Sequence, residues 1–279
     1  MSRSLPTLSP GKTGSIPEKP SGVSAPRPRG WRGDGMQPWI SLLLGAAAWE
    51  VSGRMLQLSF LPPFSSVLRA AMDLIISGQI LGNLRASLIG LAIGFGLAVS
   101  SGVMTGLMMG RYRAVETMLE PFVNAFLAAP RLVFVPILYA LFGVGRGVQV
   151  GIVFLSAFFV IVVNTMGGIQ QVSASHVEMA RSFGAGERQL LLRVLLPGAL
   201  PMTMAGLRLG MGRAVKGMIS GEMFIALFGM GALLRTYGSR FDSAKVFAIL
   251  LIIVIVALVC SYAVALVERR LTRWMEPAA

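Results

Sequence analysis

The sequence predicts an all-α integral membrane protein with about six transmembrane helices. Three observations carry that reading. Hydrophobic residues make up 54% of the 279-residue chain and charged residues only 13%, about half the share found in a soluble domain. The apolar residues gather into stretches of about twenty, the length that crosses a bilayer as a helix. The basic residues, which bring the net charge to +13, fall mostly between those stretches. This composition excludes a soluble globular enzyme and a wholly disordered chain. It gives no support to nucleic-acid binding, because the cations are dispersed and form no single patch.

Two regions follow. Residues 1–36 are rich in Pro, Ser and Gly and carry Arg3, Lys12, Lys19, Arg27, Arg29 and Arg32. They cannot bury a core and read as a disordered basic tail. A signal peptide does not fit, since the first apolar stretch begins only near Trp39. Residues 37–279 read as the membrane domain. The spans fall at about 38–58, 84–109, 119–142, 148–169, 201–228 and 245–267.

The first span ends near Glu50 and Arg54, and Leu61-Pro62-Pro63 breaks the chain. Residues 66–77 then place Val67, Ala70, Ala71, Leu74 and Ile75 on one helical face, which predicts an interfacial helix outside the membrane. The second span has glycines four apart, Gly90–Gly94 and Gly102–Gly106, the spacing that lets helices approach closely. Pro130 and Pro136 interrupt the third, with Arg131 between them. Gly143, Gly145 and Gly147 form a turn without the strand that a dinucleotide loop requires.

Six spans put both termini on one side. That side carries fourteen basic residues: the six of the tail, Arg111, Arg113, Arg181, Arg188, Arg193, Arg269, Arg270 and Arg273. The other carries seven: Arg54, Arg69, Arg85, Arg146, Arg235, Arg240 and Lys245. The excess places both termini, and the polar interval 170–197, in the cytoplasm.

That interval holds the functional signal. Ser175 and Glu178 have capping-box spacing, so a helix is expected from His176. Gly184 suits a helix end with positive φ. A second helix is expected over Glu187–Leu195, with Pro197 and Pro201 marking the return to the membrane. Two short helices outside the bilayer form a natural docking element for a soluble partner.

Glu178-Met179-Ala180, then Gly184, then Val194, Leu196 and Pro197 match a known pattern. It is E-A-A, three residues, G, nine residues, I-x-L-P, of the inner-membrane permeases of ATP-binding-cassette importers. Met179 and Val194 are mild apolar departures. Over residues 49–275 the chain resembles the nitrate/sulfonate/taurine branch. Phe60 to Pro63, Pro130-Arg131 to Pro136, Phe142 to Gly145, and Gly206-Leu207-Arg208 through Glu222-Met223 carry that likeness.

The resemblance implies the type I importer permease fold in a bacterial inner membrane. A cytoplasmic coupling helix lies between spans four and five, with Glu178, Ala180, Gly184 and Pro197 as the ATPase-coupling residues. It also implies two ATP-binding-cassette ATPase subunits, a periplasmic or extracellular solute-binding protein and a permease homodimer. ATP and magnesium belong to the ATPases. Gly11-Lys12-Thr13 looks like the end of a P-loop, but Pro6 stands where that motif needs Gly.

Charges within spans are costly, about 2.5–3.5 kcal/mol at mid-helix on insertion scales, and turn toward protein or water. Arg131, Arg208, Lys216 and Glu222 are the candidates for the translocation path, with Arg213 of unassigned facing. Their cationic balance suits an anion such as a sulfonate or nitrate, and the resemblance leaves sulfonates, taurine, nitrate and small heterocyclic vitamin precursors open as solutes. Snorkelling to headgroups competes for Arg208. The methionines read as packing and Cys260 as a small apolar residue. No catalytic, metal or cofactor set is expected in the chain. The alternative class is a channel or ion-gradient-driven carrier, which would need buried acids and finds only Glu222. A membrane enzyme ranks last, for want of paired carboxylates or a nucleophile motif.

Overall fold

The computed structural model describes residues 37–56 and 60–272. The expected tail 1–36, Arg273 and the end of the first predicted span lie outside the described residues. The chain divides into two units, residues 1–45 and 46–279. The five clusters of buried apolar side chains belong to the second.

Every regular element among the described residues is helical. In chain order these are α1 (Gln37–Leu56), α2 (Phe64–Ile76), α3 (Gln79–Arg111), α4 (Arg113–Ala128) and α5 (Val135–Phe142). There follow α6 (Arg146–Gln170), α7 (Ala174–Ser182), α8 (Glu187–Leu190), α9 (Leu196–Ile225), α10 (Met230–Ser239) and α11 (Ser243–Thr272).

Four segments are long and apolar enough to cross a membrane: α3, α6, the run Glu187–Ile225, and α11. A fifth forms if α4 and Arg131–Phe142, bent by 103°, count as one broken span. The expected first span is a helix, α1, but does not reach this apolarity. Its Glu50 pairs with Arg54. Glu50 also accepts hydrogen bonds from the amide and hydroxyl of Ser65, at 2.8 and 2.9 Å, so the carboxylate satisfies the start of α2.

The break in the third span has a local cause. Ala129 precedes Pro130, and the proline ring disfavours helical backbone at the residue before it. Ala129 accordingly adopts ψ 138°, α4 stops, and a 3₁₀ turn over Arg131–Phe134 restarts the helix.

The core is α6 between α3 and α9. Lipid is as apolar as leucine, so close approach by small residues decides what lies inside. A methyl group at Gly94 would stand 2.7 Å from Val153 Cβ, and one at Gly106 would stand 2.6 Å from Thr165 Cβ. The glycine spacing read from the sequence therefore seats α3 on α6. α9 meets α6 with Gly206, Gly210, Gly217 and Gly221. In consequence 56% of the apolar stretch of α6 is buried, against 11% for the more apolar α11.

The amphipathic stripe of α2 is buried at Val67, Ala70, Ala71 and Leu74. Its cover is protein: Met230 and Tyr237 of α10 and Ala248 and Ile249 of α11 share one cluster with it. The stripe expected at a lipid interface is thus a packing face, and Ile75 is the member left exposed.

Candidate functional site

The first candidate region is the end of the bundle where α3, α4, α6 and α9 meet. Glu187 accepts hydrogen bonds from Arg111 at the end of α3 and from Arg181 of α7, the latter at 3.2 Å. Gln170 at the end of α6 donates to Glu116 of α4 at 2.8 Å. The Glu187 contacts link α7 and α8 to the end of α3, and the Gln170–Glu116 bond ties α6 to α4.

α7 starts at Ala174, two residues before the expected His176, with Ser173 at its N-cap. The capping box does not form. Ser175 lies inside α7, past the capping position, and its hydroxyl bonds that of Ser173 at 2.7 Å. The helix end is as expected. Gly184 has φ +78°. The Ala185 N–H reaches the Ala180 carbonyl at 3.0 Å, and the Gly184 N–H reaches the Arg181 carbonyl at 2.9 Å. These two bonds close the helix by the left-handed glycine motif.

The second expected helix is corrected. Glu187–Leu190 does not end before the membrane but runs through a π-helical turn, Leu191–Leu195, into α9. Leu196 N–H bonds the Leu191 carbonyl, five residues back. Pro197 lacks an N–H and its ring would crowd the carbonyl of Arg193. The wider π turn accommodates it without breaking the helix.

The turn brings distant motif residues together. Val177 and Ala180 pack with Ile169, Leu190, Leu195 and Ala199. A groove of about 390 Å³ is lined by Ala180, Met179, Phe183, Val194 and Pro197 among others. Of the expected coupling residues, Ala180 and Pro197 line this groove, Gly184 makes the turn, and Glu178 is exposed on α7. Phe183 is 86% exposed and Met179 55%. Phe183 was not singled out in the sequence, although an aromatic next to a turn glycine in a polar interval was a usable signal.

The candidate path residues separate. Arg131 and Lys216 line one cavity of about 440 Å³, with Ser156, Ser220, Leu127 and Ile152. Arg208 lies elsewhere, exposed and paired with Glu268 of α11 at 2.8 Å. Glu222 is fully buried. It accepts hydrogen bonds from Gln149 Nε2 at 2.6 Å and from the Gly231 amide at 2.8 Å. Lys216 and Glu222 thus face different surroundings, as their angular separation on α9 requires.

The sequence reading missed α10 and its caps. Asn83 accepts from the Gly229 amide and Ser87 from the Met230 amide, both at 2.9 Å. With Glu222 on Gly231, three side chains from α3 and α9 satisfy the free N–H groups that open α10. The spacing of Met230, Leu233, Leu234 and Tyr237 was the available helical signal.

The fold is shared with chains of two solved ABC transporters. It is similar to a chain of the MetNI methionine ABC transporter in an inward-facing conformation (TM-score 0.56, 17% identity, covering 74% of this chain and 96% of that one). It is also similar to a chain of an amino acid ABC transporter with histidines (TM-score 0.51, 20% identity, 71% and 94%).

Residues 102–273 match the family described as the binding-protein-dependent transport system inner membrane component. A probable ABC transporter permease protein of Brucella abortus is 31% identical over 218 residues, 78% of this chain and 87% of that protein. The taurine transport system permease protein TauC of Escherichia coli is 28% identical over 220 residues, 77% and 80%. The putative aliphatic sulfonates transport permease protein SsuC of Bacillus subtilis is 29% identical over 242 residues, 85% and 88%. The chain therefore belongs to the inner-membrane permease subunits of binding-protein-dependent ABC transporters, a family of non-catalytic membrane components.

Proposed function

We propose that this chain forms the translocation path for a small anionic solute of the sulfonate, taurine or nitrate type. It couples that path to two cytoplasmic ATPases, which bind the ATP and magnesium. The carrying observation is the groove beside α7, where Ala180, Val194 and Pro197 meet the exposed Met179 and Phe183. Large apolar side chains held in water on a rigid helix are what a partner's pocket buries. A solute-binding protein delivers the solute from outside, and a second copy of the chain completes the pore. The names of the taurine and sulfonate relatives and the two cations in one cavity support an anionic solute.

In this reading α1 also crosses the membrane, so that with the broken α4–α5 span there are six crossings and both termini lie in the cytoplasm. Among residues 37–272, Arg111, Arg113, Arg181, Arg188, Arg193, Arg269 and Arg270 stand at the α7 end. Arg54, Arg69, Arg85, Arg146, Arg235, Arg240 and Lys245 stand at the other, an equal number. The excess that sets orientation is therefore in the N-terminal cations and Arg273.

The test is uptake in vesicles holding the chain with its co-purified ATPase. Uptake depends on ATP, and Glu178→Lys or Gly184→Pro abolishes it while the chain still inserts. Unchanged uptake in both variants sinks the reading. A secondary carrier gains nothing here, since Glu222 is sealed among protein donors.

A further inference from the structure

In the half of the bundle away from α7, an apolar groove of about 600 Å³ opens between α3, α5 and α6. Ile93 and Leu97 of α3, Leu138 and Phe142 of α5 and Phe154 of α6 wall it. Among the described residues the one charged group that lines it is Arg146, the first residue of α6. Arg146 is exposed and forms no ion pair among the described residues. α3 and α6 run side by side in the same direction, since Gly90 meets Gln149 and Gly94 meets Val153. That register sets Arg85, also exposed, within about 3 Å of the level of Arg146 along the bundle. Two exposed cations at one level mark the depth of lipid headgroups. From Arg146 the groove descends along α6 to Leu155, a rise of about 14 Å. Half the hydrocarbon core of a bilayer is about 15 Å.

We infer that this groove holds an acyl chain of an anionic phospholipid, in the leaflet away from α7, with the lipid phosphate on Arg146. The apolar walls take the chain, and groove and leaflet have the same depth. No carboxylate lines the groove, so the headgroup supplies the countercharge that the protein withholds from Arg146. A zwitterionic phosphatidylcholine would fill the walls equally well but bring an ammonium with its phosphate. Selectivity therefore lies in the headgroup. The bound chain also braces α5, the outer limb of the broken span. A methyl at Gly147 would stand 2.8 Å from Phe142 Cβ, and one at Gly151 2.9 Å from Leu138 Cδ2, so α5 is seated tightly on α6 at the groove wall. This site needs the membrane fold alone and is independent of the solute carried.

A second copy of the chain is the rival cover for an apolar groove, so the experiment separates the two. The full chain, with the subunits that co-purify, is placed in phosphatidylcholine vesicles. These are doped with photoreactive phosphatidylglycerol or photoreactive phosphatidylcholine, each with a mid-chain diazirine, and the labelled peptides are mapped. Phosphatidylglycerol labels the peptides holding Leu97 and Phe154 about fivefold more than phosphatidylcholine does, the preference that one arginine confers. Arg146→Gln brings that ratio to about one, and Arg146→Lys keeps most of it. Arg269→Gln, at the α7 end, leaves it unchanged. Leu97→Trp fills the groove and lowers labelling by both lipids severalfold. Equal labelling by the two lipids in the parent chain, or a ratio that survives Arg146→Gln, overturns the inference. So does a groove that neither lipid labels while Leu97→Cys, in a Cys260→Ser background, cross-links two copies, which would assign the face to a second chain.

Discussion

Gln149 of α6 donates a 2.6 Å hydrogen bond to the carboxylate of Glu222 on α9, with both side chains sealed from solvent. The other carboxylate oxygen takes the Gly231 amide at 2.8 Å. One acid therefore ties the centre of the bundle to the start of α10. Removing an acceptor from buried donors costs more than the hydrogen bond itself, because those donors are left unpaired. Glu222→Leu is expected to destabilise the protein by about 3 kcal/mol, read as a lower midpoint in denaturant-titrated micelles. An unchanged midpoint would remove Glu222 from this role.

The seat of α3 on α6 gives a paired prediction. At Gly94 a methyl would meet Val153 Cβ at 2.7 Å and the Val150 carbonyl at 2.8 Å, whereas at Gly96 nothing lies within 4 Å. Gly94→Ala should cost about 1–3 kcal/mol as overpacking. Gly96→Ala should be neutral or slightly stabilising, as alanine favours the helix. Thermal melting of both variants in the same detergent checks the contrast.

These two cases show what a sequence reading reaches. Glycine spacing revealed that α3 packs closely on another helix, because close approach needs small residues at a fixed period, but not that the partner is α6. The motif around Gly184 revealed the α7 turn because only one residue type takes φ +78° without strain. Glu222 was legible as a deep charge but not as a latch, since its partners Gln149 and Gly231 come from other elements. α2 showed its apolar stripe but not what covers it: lipid and protein present the same apolar surface to a helix face. The π turn before Pro197 was illegible for a related reason. A proline signals a broken hydrogen bond, not the geometry that relieves it.

The turn after α7 yields a second contrast. Gly184 is left-handed, and Gly186, at φ −70°, is not. Gly184→Ala should strain the turn by about 1 kcal/mol and reduce the fraction of chain that retains its ATPase on a sizing column. Gly186→Ala should leave that fraction unchanged. Equal loss in both would trace the effect to the loop's space and not to its backbone.

Arg208 and Lys216 lie two turns apart on α9 but have different surroundings. Arg208 pairs with Glu268 at an exposed site, where such pairs contribute about 0–1 kcal/mol. Arg208→Gln is expected to keep solute uptake within about twofold of the parent, a change of about 0.4 kcal/mol. Lys216→Gln is expected to lower it about tenfold, or about 1.4 kcal/mol. The reverse order in a vesicle uptake assay would move the path from the Arg131–Lys216 cavity to the Arg208 side.

The central claim is that α7 docks a soluble ATPase through its exposed apolar residues, and Phe183, at 86% exposure, is its sharpest probe. The direct measurement is affinity purification of the chain and of Phe183→Asp from gently solubilised membranes, with the co-eluting proteins identified and quantified. The account predicts that a Walker-motif ATPase accompanies the parent chain. It also predicts that the variant, equally abundant and equally stable, retains less than about a tenth of it, the effect of losing an interface anchor. A chain that elutes alone, or a variant that holds the ATPase as firmly as the parent, would contradict it.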